Sequence, residues 1–311
     1  MKIIFAGTPS FAASILNSLL KTNHEIVGVL TQPDSFKGRG KVKKPSAVKK
    51  VANDNSLKVF QPTLLDDVKI EAEMKNLDAD LLLVVSYGLI IPKKILQITK
   101  LGCINIHASL LPAWRGAAPI ERCLLNGDKE TGITFMYMNE GLDTGPMLRK
   151  IKCNIEANET AKSLKHKLMM ISCDNLKEFL EDFFLKKIKA KKQNNKMASY
   201  ANKIISEEAR INWNLRPEEI IRSIRAFNPK PGAYSFLNKE RIKFFQARTI
   251  QSYQFKLQPG EYIKNKQGFF IGCRGNEYIE IEEIQIPGKR KWTKTDLLNT
   301  AHKVFDESSF Y

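Results

Sequence analysis

A run of apolar residues at positions 79–86, Ala-Asp-Leu-Leu-Leu-Val-Val-Ser, constrains the fold more than any other feature of the chain. A near-continuous apolar strand of this kind is typical of a sheet that is covered on both faces. The chain opens with strand 2–6, a helical apolar repeat and strand 26–31, which together predict a right-handed parallel crossover. Strands and helices continue to alternate afterwards. We therefore expect an α/β fold with a Rossmann-like, mostly parallel sheet over residues 1–185.

The turn after the first strand, Gly7-Thr8-Pro9, bears on cofactor use. We expect Thr8 to cap the following helix and Pro9 to occupy its first position. The turn contains a single glycine, whereas close approach to a dinucleotide pyrophosphate needs the glycines of G-x-G-x-x-G. A nicotinamide cofactor is therefore not expected.

The character of the sequence changes after a basic stretch, residues 184–206, which contains seven lysines and no acidic residue. Short apolar strands joined by turns follow at positions 233–237, 241–248, 260–264, 268–273 and 278–286. Such a succession predicts a small, OB-like β-barrel. We therefore expect a first domain over residues 1–185, a basic linker over 186–203 and a C-terminal β-barrel domain over 204–311.

Positive charge is the main compositional signal, since the formal net charge is +17. Between residues 32 and 50, seven cations face a single acid, Asp34. A long loop in a compact domain is usually functional, and Lys and Arg suit contacts with a phosphate backbone. The alternative is a solvated loop in a chain that is rich in lysine throughout. We favour nucleic-acid contacts from the basic residues Lys37, Arg39, Lys41, Lys43 and Lys44.

Other classes of protein are disfavoured by the composition. The five cysteines are scattered without a C-x-x-C pair, so neither a disulfide framework nor a zinc site is expected. The four histidines include no helical H-x-x-x-H, and we expect no metal. The longest apolar run, residues 81–91, is too short to span a bilayer, and no leader pattern is visible. We expect a cytoplasmic protein without a membrane partner.

Two polar side chains, Asn105 and His107, stand two residues apart near the end of an apolar strand. This spacing places both on one face of the strand. A third group, Asp143, lies in a loop between Gly141 and Gly145. Two hydrogen-bond donors beside a carboxylate suit a reaction in which an amine or water attacks a carbonyl-type carbon. Because the sequence contains no nucleophile motif, direct transfer between two bound substrates is favoured. From residue types alone, a structural role for the histidine remains open.

The stretch Asn105-Ile-His-Ala-Ser-Leu-Leu-Pro112, followed by Gly-Leu-Asp143-Thr-Gly, resembles the Asn–His–Asp signature of formyltransferases that use 10-formyltetrahydrofolate. Further similar motifs are Phe-Ala-Gly-Thr-Pro, Thr-Gln-Pro-Asp, Gly-Arg-Gly-Lys, Pro-Ala-Trp-Arg-Gly-Ala-Ala-Pro-Ile, Glu-Glu-Ala-Arg-Ile-Asn-Trp and Ile-Arg-Ala-Phe-Asn-Pro. The resemblance covers nearly the whole chain. Ala108 stands where the family pattern has Gly, and Ala113 where it has a basic residue. These departures bear on loop flexibility or on one phosphate or folate contact.

The resemblance implies formyl transfer from 10-formyltetrahydrofolate to the α-amine of methionine on initiator methionyl-tRNA. Asn105 and protonated His107 would stabilise the oxyanion, and Asp143 would keep His107 charged and relay the amine proton. The folate would lie against Tyr87, Gly88, Leu89, Ile91, Ser109, Leu110, Leu111 and Pro112, and near the 139–143 loop. The basic loop, centred on Arg39, would enter the tRNA acceptor end. A monomer is expected.

Other functions remain open at this point. The same triad could formylate glycinamide ribonucleotide or an amino sugar, or hydrolyse the folate. A non-catalytic RNA-binding protein that retains the sheet is a further alternative. The basic loop 32–50 and the basic barrel favour tRNA, because a small substrate requires neither.

Overall fold

The computed structural model describes residues 1–37, 42–250, 255–299, 305 and 309–311. These residues form two compact units. The first comprises Met1–Pro119, Glu130–Asn154 and Lys165–Ala201, and the second comprises Ile120–Lys129, Ile155–Leu164 and Asn202–Tyr311. The segment expected to be a linker therefore belongs to the first unit as far as Ala201. None of the helices in the described ranges has the length and apolar character needed to cross a membrane.

The first unit is built on a parallel sheet. In chain order its strands are β1 (Lys2–Gly7), β2 (Glu25–Leu30), β3 (Ser35–Lys37), β4 (Val42–Lys44), β5 (Val59–Phe60), β6 (Leu81–Val85), β7 (Cys103–His107), β8 (Arg115–Gly116), β9 (Glu130–Tyr137), β10 (Met147–Asn154) and β11 (Tyr200–Ala201). Seven of them form one sheet in the order β10-β9-β7-β6-β1-β2-β5. The pairs from β7 to β5 are parallel, whereas β9 is antiparallel to both of its neighbours. The predicted mostly parallel, Rossmann-like sheet is confirmed.

Helices accompany the strands in this part of the chain. They are α1 (Ser10–Leu19), α2 (Ala47–Asp54), α3 (Val68–Lys75), α4 (Lys93–Leu96), α5 (Pro119–Asn126) and α6 (Ala161–Phe184). On α1 the repeat Phe11, Ile15 and Leu19 is fully buried. All five residues of β6 are buried as well, as expected for a strand that is covered on both faces.

The turn after β1 differs from the prediction. The residue at the N-cap of α1 is Pro9, and Thr8 does not cap the helix. The Thr8 hydroxyl instead donates a hydrogen bond to the carbonyl of Tyr87, at 2.8 Å. Local sequence rules assign this hydroxyl to the end of the helix, but it bonds instead to a residue 79 positions away in the chain.

The second unit contains an antiparallel sheet. Its elements after Asn202 are α7 (Pro217–Ala226), β12 (Ala233–Leu237), β13 (Glu240–Thr249), β14 (Tyr262–Lys264), β15 (Phe269–Gly272), β16 (Tyr278–Gln285), β17 (Lys291–Thr293) and α8 (Lys294–Asn299). The strands are ordered β12-β13-β16-β15-β14, and β17 pairs with β16. The sheet is curled around an aromatic core, in agreement with the small barrel that the short strands predict.

The last described residues join the two edges of this curled sheet. Phe310 N–H donates to the carbonyl of Gly260, next to β14, at 2.8 Å. Tyr311 and Phe236 of β12 exchange two backbone hydrogen bonds, of 2.9 and 3.0 Å. The ring of Phe310 lies 5.4 Å from that of Phe244 in the core. Residues 310–311 therefore connect the edge strands and complete the barrel.

Candidate active site

Strand β7 presents the candidate catalytic side chains on one face. Ile104 and Ile106 are buried, whereas Asn105 and His107 alternate with them and both approach the same carboxylate. The strand lies between parallel β6 and antiparallel β9. The sheet therefore holds Asn105 and His107 in register from both sides.

The carboxylate is that of Asp143, in the loop between β9 and β10. Its Oδ1 lies 3.4 Å from Asn105 Nδ2, its Oδ2 lies 3.6 Å from His107 Nδ1, and Oδ2 accepts a 2.8 Å hydrogen bond from Gly116 N–H. The backbone of Asp143 is left-handed, with φ +50°. The structure thus brings together the three residues that the sequence proposes as a catalytic set.

The tautomer of His107 is set by a backbone carbonyl. His107 Nε2 lies 2.9 Å from the carbonyl oxygen of Trp114, and because a carbonyl can only accept, this nitrogen must carry the hydrogen. The other nitrogen, Nδ1, is then the one that faces Asp143. The imidazole side chain is 6% exposed, so few other orientations are open to it.

Sequence reasoning missed the groups that hold this arrangement. The side chain of Arg115 is 2% exposed and donates to Gln193 Oε1 from Nε (3.0 Å) and from a terminal nitrogen (2.8 Å). The Gln193 amide donates to the carbonyls of Asp143 (2.7 Å) and Gly145 (2.8 Å). Gln193 lies in the segment that is expected to be a linker because it is rich in lysine. The sequence offers only one sign of its structural role, which is an amide side chain among those lysines.

The residues after β7 that are expected to contact folate differ in how deeply they are buried. Ser109 and Leu111 are fully buried, and Leu110 and Pro112 are half-buried. The Ser109 hydroxyl donates to the carbonyl of Ala113 at 2.6 Å, and Thr134 bridges Ser109 O and Leu111 N–H. Ser109 and Leu111 therefore serve the loop itself, which leaves Leu110 and Pro112 as the more accessible apolar groups.

The expected contacts after β6 offer an apolar surface. Tyr87 and Ile91 are buried, Leu89 is half-buried and Gly88 is exposed with φ +88°. The neighbouring Ile90 is 91% exposed. Burial raises the pKa of the Tyr87 phenol, whose hydroxyl is buried without a hydrogen-bond partner within the described residues.

Two loops at this end of the sheet are tied by an ion pair. Lys93 Nζ lies 3.0 Å from Glu140 Oε1, which joins the segment after β6 to the loop that carries Asp143. Leu142 of that loop is 60% exposed. Exposed apolar residues beside a few fixed polar groups fit a flat heteroaromatic ligand such as the folate ring.

The basic loop begins and ends as a hairpin, β3 pairing with β4. Lys43 and Lys44 are exposed on β4, and Lys37 lies on β3. Arg39 and Lys41, the other predicted tRNA contacts, lie outside the described residues. At the base of the hairpin, Asp34 accepts 2.8 Å hydrogen bonds from Lys49 Nζ and Gln61 Nε2.

The described residues offer no metal-binding cluster, and a cavity in the second unit does not include the triad. In the described ranges, no group of three or more His, Cys, Asp or Glu side chains is arranged to hold a metal ion. A cavity of about 860 Å³ lies in the second unit, where Arg222 and Arg225 line it together with acidic residues, and no member of the triad lines it.

The chain is similar to known proteins along almost its entire length. Residues 1–176 match the family described as formyl transferase, and residues 203–302 match the formyl transferase C-terminal domain. The methionyl-tRNA formyltransferase of Coxiella burnetii (strain CbuK_Q154) is 43% identical over 300 residues, which are 96% of this chain and 95% of that protein.

Solved structures share the fold at low sequence identity. The N-formyltransferase from Helicobacter canadensis, in complex with folinic acid and dTDP-3-aminofucose, aligns with a TM-score of 0.70 at 22% identity, over 90% of this chain and 98% of that one. HypX from Aquifex aeolicus, in complex with tetrahydrofolic acid, aligns with a TM-score of 0.65 at 19% identity, over 96% of this chain and 47% of that one. The fold, the matched domains and the full-length relative agree, and the chain belongs to the formyl transferase family.

Proposed function

We propose that this chain transfers a formyl group from 10-formyltetrahydrofolate to the α-amino group of methionine on initiator methionyl-tRNA, which prepares that tRNA for translation initiation. The convergence of Asn105 and His107 on the Asp143 carboxylate carries the proposal. The near full-length similarity to methionyl-tRNA formyltransferases supports this choice of substrate. We further propose that the protein acts as a monomer in the cytoplasm.

The roles of the three side chains follow from their positions. The folate supplies the formyl carbon. As the amine attacks it, negative charge grows on the formyl oxygen, and donors fixed beforehand stabilise that charge at little reorganisation cost. The Asn105 amide is one such donor. Protonated His107 is the other, through Nδ1, because its Nε2 hydrogen is directed to the carbonyl of Trp114.

The attacking amine must lose a proton during the reaction, so a proton acceptor is required beside these hydrogen-bond donors. The new carbon–nitrogen bond forms as the amine loses a proton, and the bond to the folate nitrogen breaks as that nitrogen gains one. The Asp143 carboxylate, next to both Asn105 and His107, is placed to accept the amine proton directly or through one water. His107 is placed to supply a proton in return.

We propose that the folate ring lies against the apolar residues after β6 and β7. Leu89, Leu110 and Pro112 are half-buried there, and Tyr87 offers a buried hydroxyl that lacks a protein partner among the described residues. Gly88, with its exposed left-handed backbone, allows close approach of a ligand. Ser109, Leu111 and Ile91 would support this wall from behind, since all three are buried.

We propose that tRNA is held by positive charge in two regions. The basic loop 32–50, with Lys37, Arg39, Lys41, Lys43 and Lys44, would meet the acceptor end. The 204–311 domain and the lysines of 186–203 would hold the body of the tRNA, chiefly through phosphates. Residues 1–185 would form the catalytic domain.

Formyl transfer to a small amine is the second candidate, because the Helicobacter canadensis N-formyltransferase, which shares the fold, is in complex with folinic acid and dTDP-3-aminofucose. The exposed basic hairpin argues against it, since a small substrate does not need a lysine-rich arm of this length.

A turnover assay with 10-formyltetrahydrofolate, run with and without methionine-charged initiator tRNA, tests the proposal. We expect formyl transfer only in the presence of the charged tRNA. Turnover without tRNA would indicate hydrolysis, and turnover with a nucleotide-linked amino sugar would indicate the second candidate. Binding of tRNA without any turnover would indicate a non-catalytic RNA-binding protein.

Single substitutions test the roles proposed for individual residues. His107→Ala should abolish transfer while tRNA binding remains normal. Arg39→Ala should impair the reaction with tRNA far more than folate binding. Near-normal turnover of His107→Ala would rule out the proposed triad.

A further inference from the structure

One member of the candidate catalytic set and one residue beside it adopt a backbone conformation that side-chain-bearing residues rarely take. Asp143 has φ +50°, and Trp114, whose carbonyl fixes His107, has φ +61°. Left-handed backbone of this kind persists only where surrounding contacts over-determine it, and it clusters at functional sites. The contacts that impose it on these two residues therefore bear on catalysis.

Both residues are held by one segment, residues 191–201, which we term the strap. At its start, Lys191 and Met147 exchange two backbone hydrogen bonds of 2.8 Å. At its end, Tyr200–Ala201 pairs in parallel with Arg115–Gly116. The strap thus crosses from the beginning of β10 to the loop that follows β7.

Gln193 is the contact of the strap with the Asp143 loop. Its amide nitrogen donates to two carbonyls, those of Asp143 and Gly145, on either side of Thr144. The orientation of the amide is determined, because its oxygen accepts two N–H groups from Arg115. A third hydrogen bond from the Arg115 guanidinium, to Asn195 Oδ1 at 2.8 Å, fixes the guanidinium on the strap.

Ser199 is the contact of the strap with the Trp114 turn. Its hydroxyl oxygen accepts a 2.9 Å hydrogen bond from Trp114 N–H, and its carbonyl accepts one of 2.9 Å from Arg115 N–H. The residue that follows, Gly116, donates to Asp143 Oδ2. One short stretch therefore sets both the carbonyl that orients His107 and the N–H that orients Asp143.

We propose that two residues of the strap, Gln193 and Ser199, are positioning residues for Asp143 and His107. The inference rests on the proposed formyl transfer. Gln193 clamps the two carbonyls around Asp143, and Ser199 holds the turn that presents Trp114. A tether that only joined the chain to its second unit would not need to contact both left-handed residues.

Gln193→Glu separates positioning from stability. A carboxylate keeps both acceptor bonds from Arg115 and strengthens them by its charge, which offsets the loss of the two donor bonds, so the unfolding temperature should stay close to that of the wild type. The same carboxylate has no N–H and would oppose the carbonyls of Asp143 and Gly145. We expect kcat with charged initiator tRNA to fall about 10- to 100-fold, with the KM values for folate and tRNA within about twofold, as for a misplaced catalytic group.

Two further variants test the same positioning roles. Gln193→Ala should lower kcat similarly, and Ser199→Ala should lower it several-fold without changing either KM. The matched control is Asn194→Ala, an exposed amide of the strap whose side chain accepts from Lys196 N–H and does not reach either loop. We expect wild-type kcat from Asn194→Ala.

The outcomes are distinct. Wild-type kcat in Gln193→Glu would overturn the inference, and so would losses of kcat that track losses of unfolding temperature across the Gln193 variants. Absence of formyl transfer by the unmodified protein would instead refute the proposed function.

Discussion

At the scale of single residues, main-chain groups orient the reactive side chains. The carbonyl of Trp114 fixes the tautomer of His107, and the N–H of Gly116 fixes one oxygen of Asp143. Any residue supplies these groups, so a motif of side chains does not reveal them. The motif indicates the candidate catalytic residues, and the turns that present the backbone determine how they are oriented.

Asp143→Asn tests the charge of the carboxylate at almost constant shape. The amide oxygen can still accept from Gly116 N–H, but the negative charge beside His107 Nδ1 is lost. We expect kcat to fall about 10²- to 10⁴-fold, the usual contribution of a positioned acid or base, with little change in the unfolding temperature. Single-turnover formyl transfer measures the effect. A loss of less than tenfold would show that Asp143 is not the proton acceptor.

At the scale of elements, the basic hairpin has an ordered base. Asp34, before β3, is bonded to Lys49 in α2 and to Gln61 after β5. The hydrogen bond from Lys49 holds the pKa of the Asp34 carboxyl below its usual value. The two ends of the loop are therefore joined, which restricts where the lysines of the hairpin can reach.

The pH dependence of this contact follows from the sign of the pKa shift. Because the folded pKa is lowered, the contribution to stability is fully present above the unfolded pKa, about 3.9, and is lost as the pH falls through the folded value. We expect wild type to be more stable than Asp34→Asn at pH 7, and the difference to close on acidification. Denaturant unfolding of both proteins at several pH values measures it. A difference that persists at the lowest pH would contradict the assignment.

Sequence patterns predicted most elements to within a few residues. The strand expected at 233–237 is observed at Ala233–Leu237, and the strand expected at 278–286 is observed at Tyr278–Gln285. Periodicity is a local property, and it was sufficient for these elements. It failed for Thr8, which bonds to Tyr87 O, and it gave no indication that Gln193 bonds to the loop at Asp143, 50 residues away.

At the scale of the whole molecule, a net charge of +17 should dominate tRNA binding. Each phosphate contact releases counterions, so the logarithm of the association constant should fall linearly and steeply with the logarithm of salt concentration. The double variant Lys43→Ala/Lys44→Ala should weaken binding and reduce the slope by about one per lost phosphate contact. Titrations of initiator tRNA at several salt concentrations measure both quantities. A flat dependence would argue against a phosphate-dominated interface.

The barrel of the second unit should depend on its last described residues. Phe310 is 4% exposed, packs on Trp213, Phe244 and Phe269, and bonds through its backbone to Gly260. Phe310→Ala should lower the free energy of unfolding by about 3–5 kcal/mol, the usual cost of removing a buried phenyl ring. Thermal and denaturant unfolding measure the loss.

Tyr311→Phe is the control for that variant, since it removes only a hydroxyl that accepts from Lys239 N–H, and its effect should be about 1 kcal/mol or less. If Phe310→Ala were as mild as the control, the described contacts of residue 310 would not be what completes the barrel.

The sequence by itself determined the family, the mostly parallel sheet, the barrel-like second half and the members of the candidate triad. Buried strands, helical periods and the residues of a reactive motif are local patterns, so they can be read without coordinates. Only the tertiary structure decided that a lysine-rich stretch is a strap on the catalytic loops and that residues 310–311 join the edges of the barrel. It also assigned Ser109 and Leu111 to the support of their own loop. These features depend on hydrogen bonds and packing between residues far apart in the chain, and such contacts leave no periodic trace in the sequence.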